Sequence, residues 1–313
     1  MIKTLGLRLL ASLVLLIVVP TVTFFLQAVT PGNVAQSILG IGATPQSVAA
    51  LNNQLGLDRP VWQRYLDWLA GFFHGDLGTS YITGDSVVRT LSGRLGVSLS
   101  LIVGALVVFT IVGVLLGILS TSSSRVWGRL IDVVSTAGIA IPNFWLGVLL
   151  IGVFAVQLNL LPATGYVQPS ENVSGWIASL VLPVIALAFA GITGVAKQTR
   201  DQMLVSLASP YARSLRANGA SEASLLFRHA LRNASGPIIT VIGLIFVGAL
   251  SGSVVVENIF VLPGLGSQAV QSTAQRDLPV IQGIAVYFTI IVVVVNVVID
   301  VVNTILNPKA RAS

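Results

Sequence analysis

The chain has 313 residues, of which 54% are hydrophobic and 9% charged, against about 25% charged in a soluble globular domain, so the composition is that of a membrane protein. It has no cysteine, which excludes disulfide frameworks, zinc–thiolate clusters and thiol chemistry, and its two histidines, His74 and His229, offer few ligands for a metal. The net charge of +6 would suggest nucleic acid in a soluble protein, but here its distribution along the chain decides its meaning.

Charged residues leave six intervals long enough to hold a helix of about 20 apolar residues, the length that crosses a hydrocarbon core of about 30 Å. Spanning helices are predicted near 9–28, 96–120, 133–156, 176–198, 234–256 and 279–304. Their continuous apolar runs lack the alternation of barrel strands, so the expected fold class is all-α and polytopic. Pro142 and Pro183 are expected to kink their helices rather than break them.

In chain order, Lys3 and Arg8 precede an apolar run too long for a signal core, with no clear small-x-small cleavage site, so the first segment is expected to stay as a helix. Residues 30–94 then form an external region. Within it Val61 to Phe73 places Trp62, Tyr65, Leu66, Trp68, Leu69 and Phe72 among polar residues, a pattern suited to a helix at the membrane interface. With the N-terminus inside, twelve basic residues fall on the cytoplasmic side, among them Arg125, Arg129, Lys309 and Arg311, against five outside. That bias predicts two cytoplasmic termini and accounts for the positive charge by topology, without nucleic acid.

The cytoplasmic stretch 199–233 carries the most informative pattern. Ser209-Pro210 reads as an N-cap with proline in the first turn, and Gly219 stands where a short helix would stop in a left-handed conformation. Ser221-Glu222 starts a second helix, with an acidic residue at the positive end of its dipole, that runs into the fifth span. Tyr211, Leu215 and Asn218 recur at near-helical spacing beside Arg213 and Arg216, as expected of a short helix pressed into a partner's groove.

Gly219, nine residues and then His229-Ala230-Leu231-Arg232-Asn233 resemble the coupling loop of ABC importers, in the form used by the dipeptide/oligopeptide permease family. That loop generally reads Glu-Ala-Ala, three residues, Gly, nine residues, Ile-x-Leu-Pro. Here Arg213-Ser214-Leu215 occupies its first positions and His229-Ala230-Leu231-Arg232 its last, while Leu215 and Asn218 depart from the small residue and the lysine usual there. Further segments are similar to the same family: Leu57-Asp58-Arg59-Pro60, Gly75 to Ser80, Ile141 to Phe144, Leu161 to Gly165, Glu257 to Phe260 and Pro263 to Gly266.

The resemblance implies the type I ABC importer permease fold, with this chain as the first of two related membrane subunits. It implies a second permease subunit, two ATPase subunits that bind ATP and Mg, an external solute-binding protein and a peptide substrate carried across the cytoplasmic membrane by alternating access. Tyr211, Arg213, Leu215, Arg216, Gly219, His229, Leu231 and Arg232 become the residues expected to couple to the ATPases. The expected organisation is a cytoplasmic N-terminus and first helix at 1–29, the external region at 30–94, a five-helix core at 95–308 that includes 199–233, and a cytoplasmic tail at 309–313.

Several patterns have a plainer reading. Leu91-Ser92-Gly93 is similar to the start of an ATPase signature, but it lies outside and the chain has no Gly-Lys pair, hence no P-loop lysine. Gly113-x-x-x-Gly117 and Gly248-x-x-x-Gly252 allow close helix contact, and packing within the subunit is the first expectation. Asn172-Val173-Ser174 is a three-residue sequon match without weight. Asn296, Asp300 and Asn303 share one face of the last helix, either towards a partner or cavity or at the interface. Glu257, close to water, either pins the following loop or lines the external mouth. A secondary transporter would need intramembrane ionisable groups, which are nearly absent, and a membrane anchor would leave the glycine-cornered loop without a task. The substrate stays open among peptides, glutathione, nickel chelates and haem.

Overall fold

A computed structural model describes residues 2–30, 32–122, 133, 138 and 140–306. Arg125, Arg129, the tail at 309–313 and much of the first half of the third predicted span lie outside these residues. The described residues are helical, with a single isolated β-bridge between Thr79 and Ser86. Among the described residues, five helices are long and apolar enough to cross a membrane. The described part of the third predicted span ends in a shorter apolar helix, Asn143–Gln157.

Two compact units divide the chain, one built from Leu99–Leu262 with Val295–Ser313, the other from Ile2–Ser98 with Pro263–Val294. Helices α1 (Ile2–Val29), α2 (Val34–Leu39), α3 (Pro45–Gln54) and α4 (Val61–Phe73) belong to the second unit. A capping box closes the start of α3, where Thr44 and Ser47 each satisfy the other's backbone donor. α4 lies where its amphipathic pattern placed it, but its aromatic face is shared. Tyr65 meets Phe24 of α1 edge to face and Trp68 lies tilted against it, with ring centroids 5.4 and 6.2 Å apart, and the Tyr65 hydroxyl meets Thr21 Oγ1 at 2.7 Å. Trp62, Leu66 and Phe73 face outward.

The segment after α4 is a tight knot. Asp76 accepts a hydrogen bond from Gly78 N–H at 2.8 Å, Val87 N–H donates to Gly78 O at 3.0 Å, and Ser80 N–H donates to Asp85 O at 2.9 Å. Its anchor comes from far along the chain. Asp277, 3% exposed, accepts hydrogen bonds from Ser80 Oγ and, at 3.0 Å, from Tyr81 N–H. A buried carboxylate is tolerated because two donors replace its lost water.

The other unit contains most of α5 (Val87–Ser122), then α6 (Asn143–Leu150), α7 (Val173–Ala208), α8 (Pro210–Ala217) and α9 (Glu222–Ile259). Lipid is as apolar as leucine, so helices here associate through close fit and not through expulsion of water. The fit is close between α5 and α7. A methyl group added to Gly117 would stand 2.5 Å from Thr199 Cβ and 2.8 Å from the Ala196 carbonyl oxygen, and one added to Gly113 would stand 2.7 Å from Val195 Cβ. The first glycine pair therefore packs within the subunit. Of the second pair, Gly252 meets Asn143 and Leu187, whereas Gly248 faces open space.

Pro183 and Pro237 lie within continuous helices. Pro142 does not merely kink its helix: the chain leaves helical geometry there, with φ −67° and ψ 137°, and α6 restarts at Asn143. Proline disfavours the helical region for the residue before it, and nothing at Ile141–Pro142 overrides that preference. α7, at 36 residues, is about 54 Å long, against about 30 Å of hydrocarbon. Its surplus carries the polar end, with the Lys197–Asp201 ion pair at 3.5 Å, towards water.

Replacing Gly117 with leucine should lower the stability of the solubilised protein by about 1–3 kcal/mol, while Gly248→Leu should leave it nearly unchanged; thermal unfolding of the two variants side by side checks this. Asp277→Ala strands the Ser80 and Tyr81 donors and should cost about 3 kcal/mol, read as faster amide exchange across residues 78–86.

Candidate coupling elbow

Ser209 N-caps α8, its Oγ accepting from Ala212 N–H at 3.3 Å, and Pro210 occupies the first turn. Asn218 ends the helix and Gly219 takes φ +79°, a left-handed conformation that only glycine adopts without strain. Ala220 N–H closes back on Leu215 O at 3.1 Å. Ser221 caps the start of α9, its Oγ accepting from Ser224 N–H at 3.3 Å. The result is an elbow whose two arms meet at Gly219.

Two side-chain contacts tie the arms. Arg216 Nε and Nη2 donate to the Glu222 carboxylate at 2.8 and 3.3 Å, directly across the corner. That hydrogen bond, with the carboxylate's charge, raises the Arg216 guanidinium above its ordinary value. Tyr211 OH meets His229 Nδ1 at 3.0 Å, with the rings edge to face at 6.0 Å. His229 lies in a π-helical stretch, Leu225–Ala230, closed by Leu231 N–H donating to Leu226 O. Its role is therefore a hydrogen bond within the elbow.

The elbow rests on a small apolar core. Ile118, Met203, Ala230, Ala234 and Ile238 are buried together, with Leu207, Leu226 and Leu231 packed against them. Leu231 thus faces inward, and Leu215 is half-buried while the neighbouring Ala212 is fully buried. Tyr211, Arg213, Arg216, Gly219 and Arg232 are exposed. Two exposed or exposed-edge residues absent from the sequence expectation join them: Glu222, which clamps the corner, and Phe227, 57% exposed beside it. An acidic residue at a helix start and an aromatic before His229 were the available signals. A cavity of about 480 Å³ beside the elbow is lined by Gln202, Ser206, Ser209, Tyr211 and Asn233.

Glu257 lies away from the elbow. It sits at the opposite end of α9 and is fully buried. Its carbonyl accepts from Leu262 N–H at 2.8 Å, and Phe260, also buried, takes Gly165 N–H on its carbonyl at 2.9 Å. Two segments far apart in sequence, Leu161 to Gly165 and Glu257 to Phe260, thus meet, and Gly147 of α6 packs against the Phe260 ring. Asn296 and Asp300 are half-buried on the final helix, Leu278–Leu306.

A methyl group at Gly219 would meet nothing within 4 Å, so Gly219→Ala tests backbone conformation alone. It should cost about 1–2 kcal/mol, and Gly219→Asn less, seen as faster amide exchange across 210–224. Glu222→Gln should loosen the same amides at low salt and make little difference at 1 M salt, since screening already weakens an exposed pair.

Residues 110–312 match the family model described as the binding-protein-dependent transport system inner membrane component, and residues 1–102 match that for the N-terminal part of such membrane components. A Brucella abortus (strain 2308) protein named as a peptide transport system permease is 38% identical, covering 97% of each chain. The dipeptide transport system permease protein DppB of Lactococcus lactis is 36% identical over 99% of this chain and 98% of its own. The oligopeptide transport system permease protein AppB of Bacillus subtilis is 34% identical over 96% and 97%. Among solved structures, one titled as an amino acid ABC transporter with histidines shares the fold, with a TM-score of 0.50 and 21% identity over 69% of this chain and 94% of that one. The chain belongs to the binding-protein-dependent transport system inner membrane component family, as a multi-pass permease subunit of an ABC importer.

Proposed function

We propose that this permease carries di- and oligopeptides across the cytoplasmic membrane by alternating access, coupled through loop 199–233 to separate ATPase subunits. The near full-length match to permeases named for dipeptide and oligopeptide transport carries the substrate class. The exposed elbow on its apolar seat supports the coupling role: a stiff, capped corner held by Arg216–Glu222 and Tyr211–His229 can transmit a push to α7 and α9, whereas a loose loop would absorb it.

In this reading Tyr211, Arg213, Leu215, Arg216, Gly219, His229, Leu231 and Arg232 form or support the surface that docks on an ATPase. ATP and Mg belong to two such ATPase subunits, whose closure moves the elbow. A second, related permease completes the pathway, and an external solute-binding protein delivers the peptide. Both termini and the elbow lie on the cytoplasmic side, as the distribution of basic residues supports, and 30–94 lies outside. Asn296 and Asp300 are the candidates for a partner- or pathway-facing stripe, while Glu257, being buried, serves the turn that follows it.

Purification of this chain from its native membrane should bring down ATPase subunits, and Gly219→Asp should leave the chain in the membrane yet abolish peptide uptake while ATP hydrolysis continues. An elbow labelled from the external face, or an assembled complex in which it touches no ATPase, would overturn the coupling role. Uptake of di- and tripeptides measured against longer peptides sorts the substrate, and failure of both to be taken up would overturn the peptide assignment alone.

A further inference from the structure

The apolar arc of α4 is wider than the neighbour that covers it. One half is the ladder of Tyr65, Trp68 and Phe72, whose successive ring centroids lie 6.2 and 5.7 Å apart and whose first two rings rest on Phe24 of α1. The other half is Trp62, Leu66 and Phe73, at i, i+4 and i+11 on one helical face, which remain 58, 52 and 66% exposed. Gln63, Arg64 and Asp67 take the remaining edge, where Asp67 pairs with Arg59 at 2.7 Å. Sequence periodicity alone would give the whole arc to the membrane surface; the structure divides it between α1 and an absent neighbour.

The contacts with α1 set the depth of that neighbour. Thr21, 2.7 Å from the Tyr65 hydroxyl, lies eight residues inside the end of the span Leu10–Val29, about 12 Å along the axis. Phe24 lies five residues inside it, about 7 Å. A helix held at Phe24 therefore has its flank at the level of acyl chains, within the roughly 5–10 Å to which interfacial amphipathic helices sink. The open half also continues the surface of the span itself. Phe25, in ring contact with Tyr65 at 5.2 Å, is exposed, and Val22, Leu26 and Val29 extend the same apolar surface along α1. Contiguous apolar surface of this extent marks an interaction site, and at this depth the partner is hydrocarbon. We propose that α4 is a leaflet anchor: Trp62, Leu66 and Phe73 are immersed in phospholipid acyl chains, Gln63 and the Arg59–Asp67 pair stay among the headgroups, and the segments flanking α4 are thereby held at a fixed height on the bilayer.

The chain has no cysteine, so the wild-type importer treated with a nitroxide reagent supplies the background from its partner subunits. In the whole importer reconstituted into phosphatidylethanolamine–phosphatidylglycerol vesicles, a nitroxide on Leu66→Cys or Phe73→Cys should collide with oxygen several-fold more often than with a water-soluble nickel chelate, and one on Gln63→Cys should show the reverse. Nickel collisions at Leu66→Cys and Phe73→Cys that match those at Gln63→Cys would put the face in water and overturn the proposal. A label immobilised and shielded from both reagents would equally overturn it, giving the face to a protein partner. Trp62→Phe provides a reading that needs no label: phospholipids brominated in the upper acyl chain should quench tryptophan fluorescence more in wild type than in this variant, and equal quenching would rule out immersion.

Discussion

The elbow keeps its shape because its inner side is anchored to the ends of the helices beside it. Met203, Ala230 and Ile238 are buried together, and Leu226 and Leu231 press on them, so the start of α9 is seated on α5 and α7. Interiors packed at that density transmit displacement and do not damp it. Remove the anchor, and the two polar ties across the corner would hold a hinge attached to nothing. The close approach of α5 to α7 at Gly113 and Gly117 extends the same logic into the membrane, where helix positions are set by shape alone.

Local signals were read well wherever a single residue type has one physical use. Ser209 and Ser221 cap, Pro210 sits in a first turn and Gly219 turns left-handed because no other arrangement suits them as cheaply. The amphipathic stretch at Val61–Phe73 is likewise a helix with the bounds that its pattern suggested. Helix ends beyond the apolar runs were harder to place. α7 begins at Val173 and runs to Ala208, whereas the apolar stretch covers 176–198, because a helix does not stop where lipid stops.

Long-range pairing is what a lone sequence conceals. Ser80 and Asp277 are separated by 197 positions, and neither looks unusual in its own neighbourhood. Glu257 is buried beside a turn assembled from Phe260 and Gly165, residues that lie far apart in the chain. Pro142 shows the opposite error. Its local preference for extended geometry prevailed, where Pro183 and Pro237 are absorbed by the helices around them.

The wide turn at Leu225–Ala230 gives the motif's spacing its geometric meaning. A bond from residue 231 back to 226 accommodates one residue more than an ordinary helical turn, so everything before it is rotated by about 100° relative to an uninterrupted helix. The interval from Gly219 to His229 therefore measures an angle as well as a length. Drawn on a regular helical wheel, Glu222 would be assigned to the wrong azimuth by about a quarter of a turn.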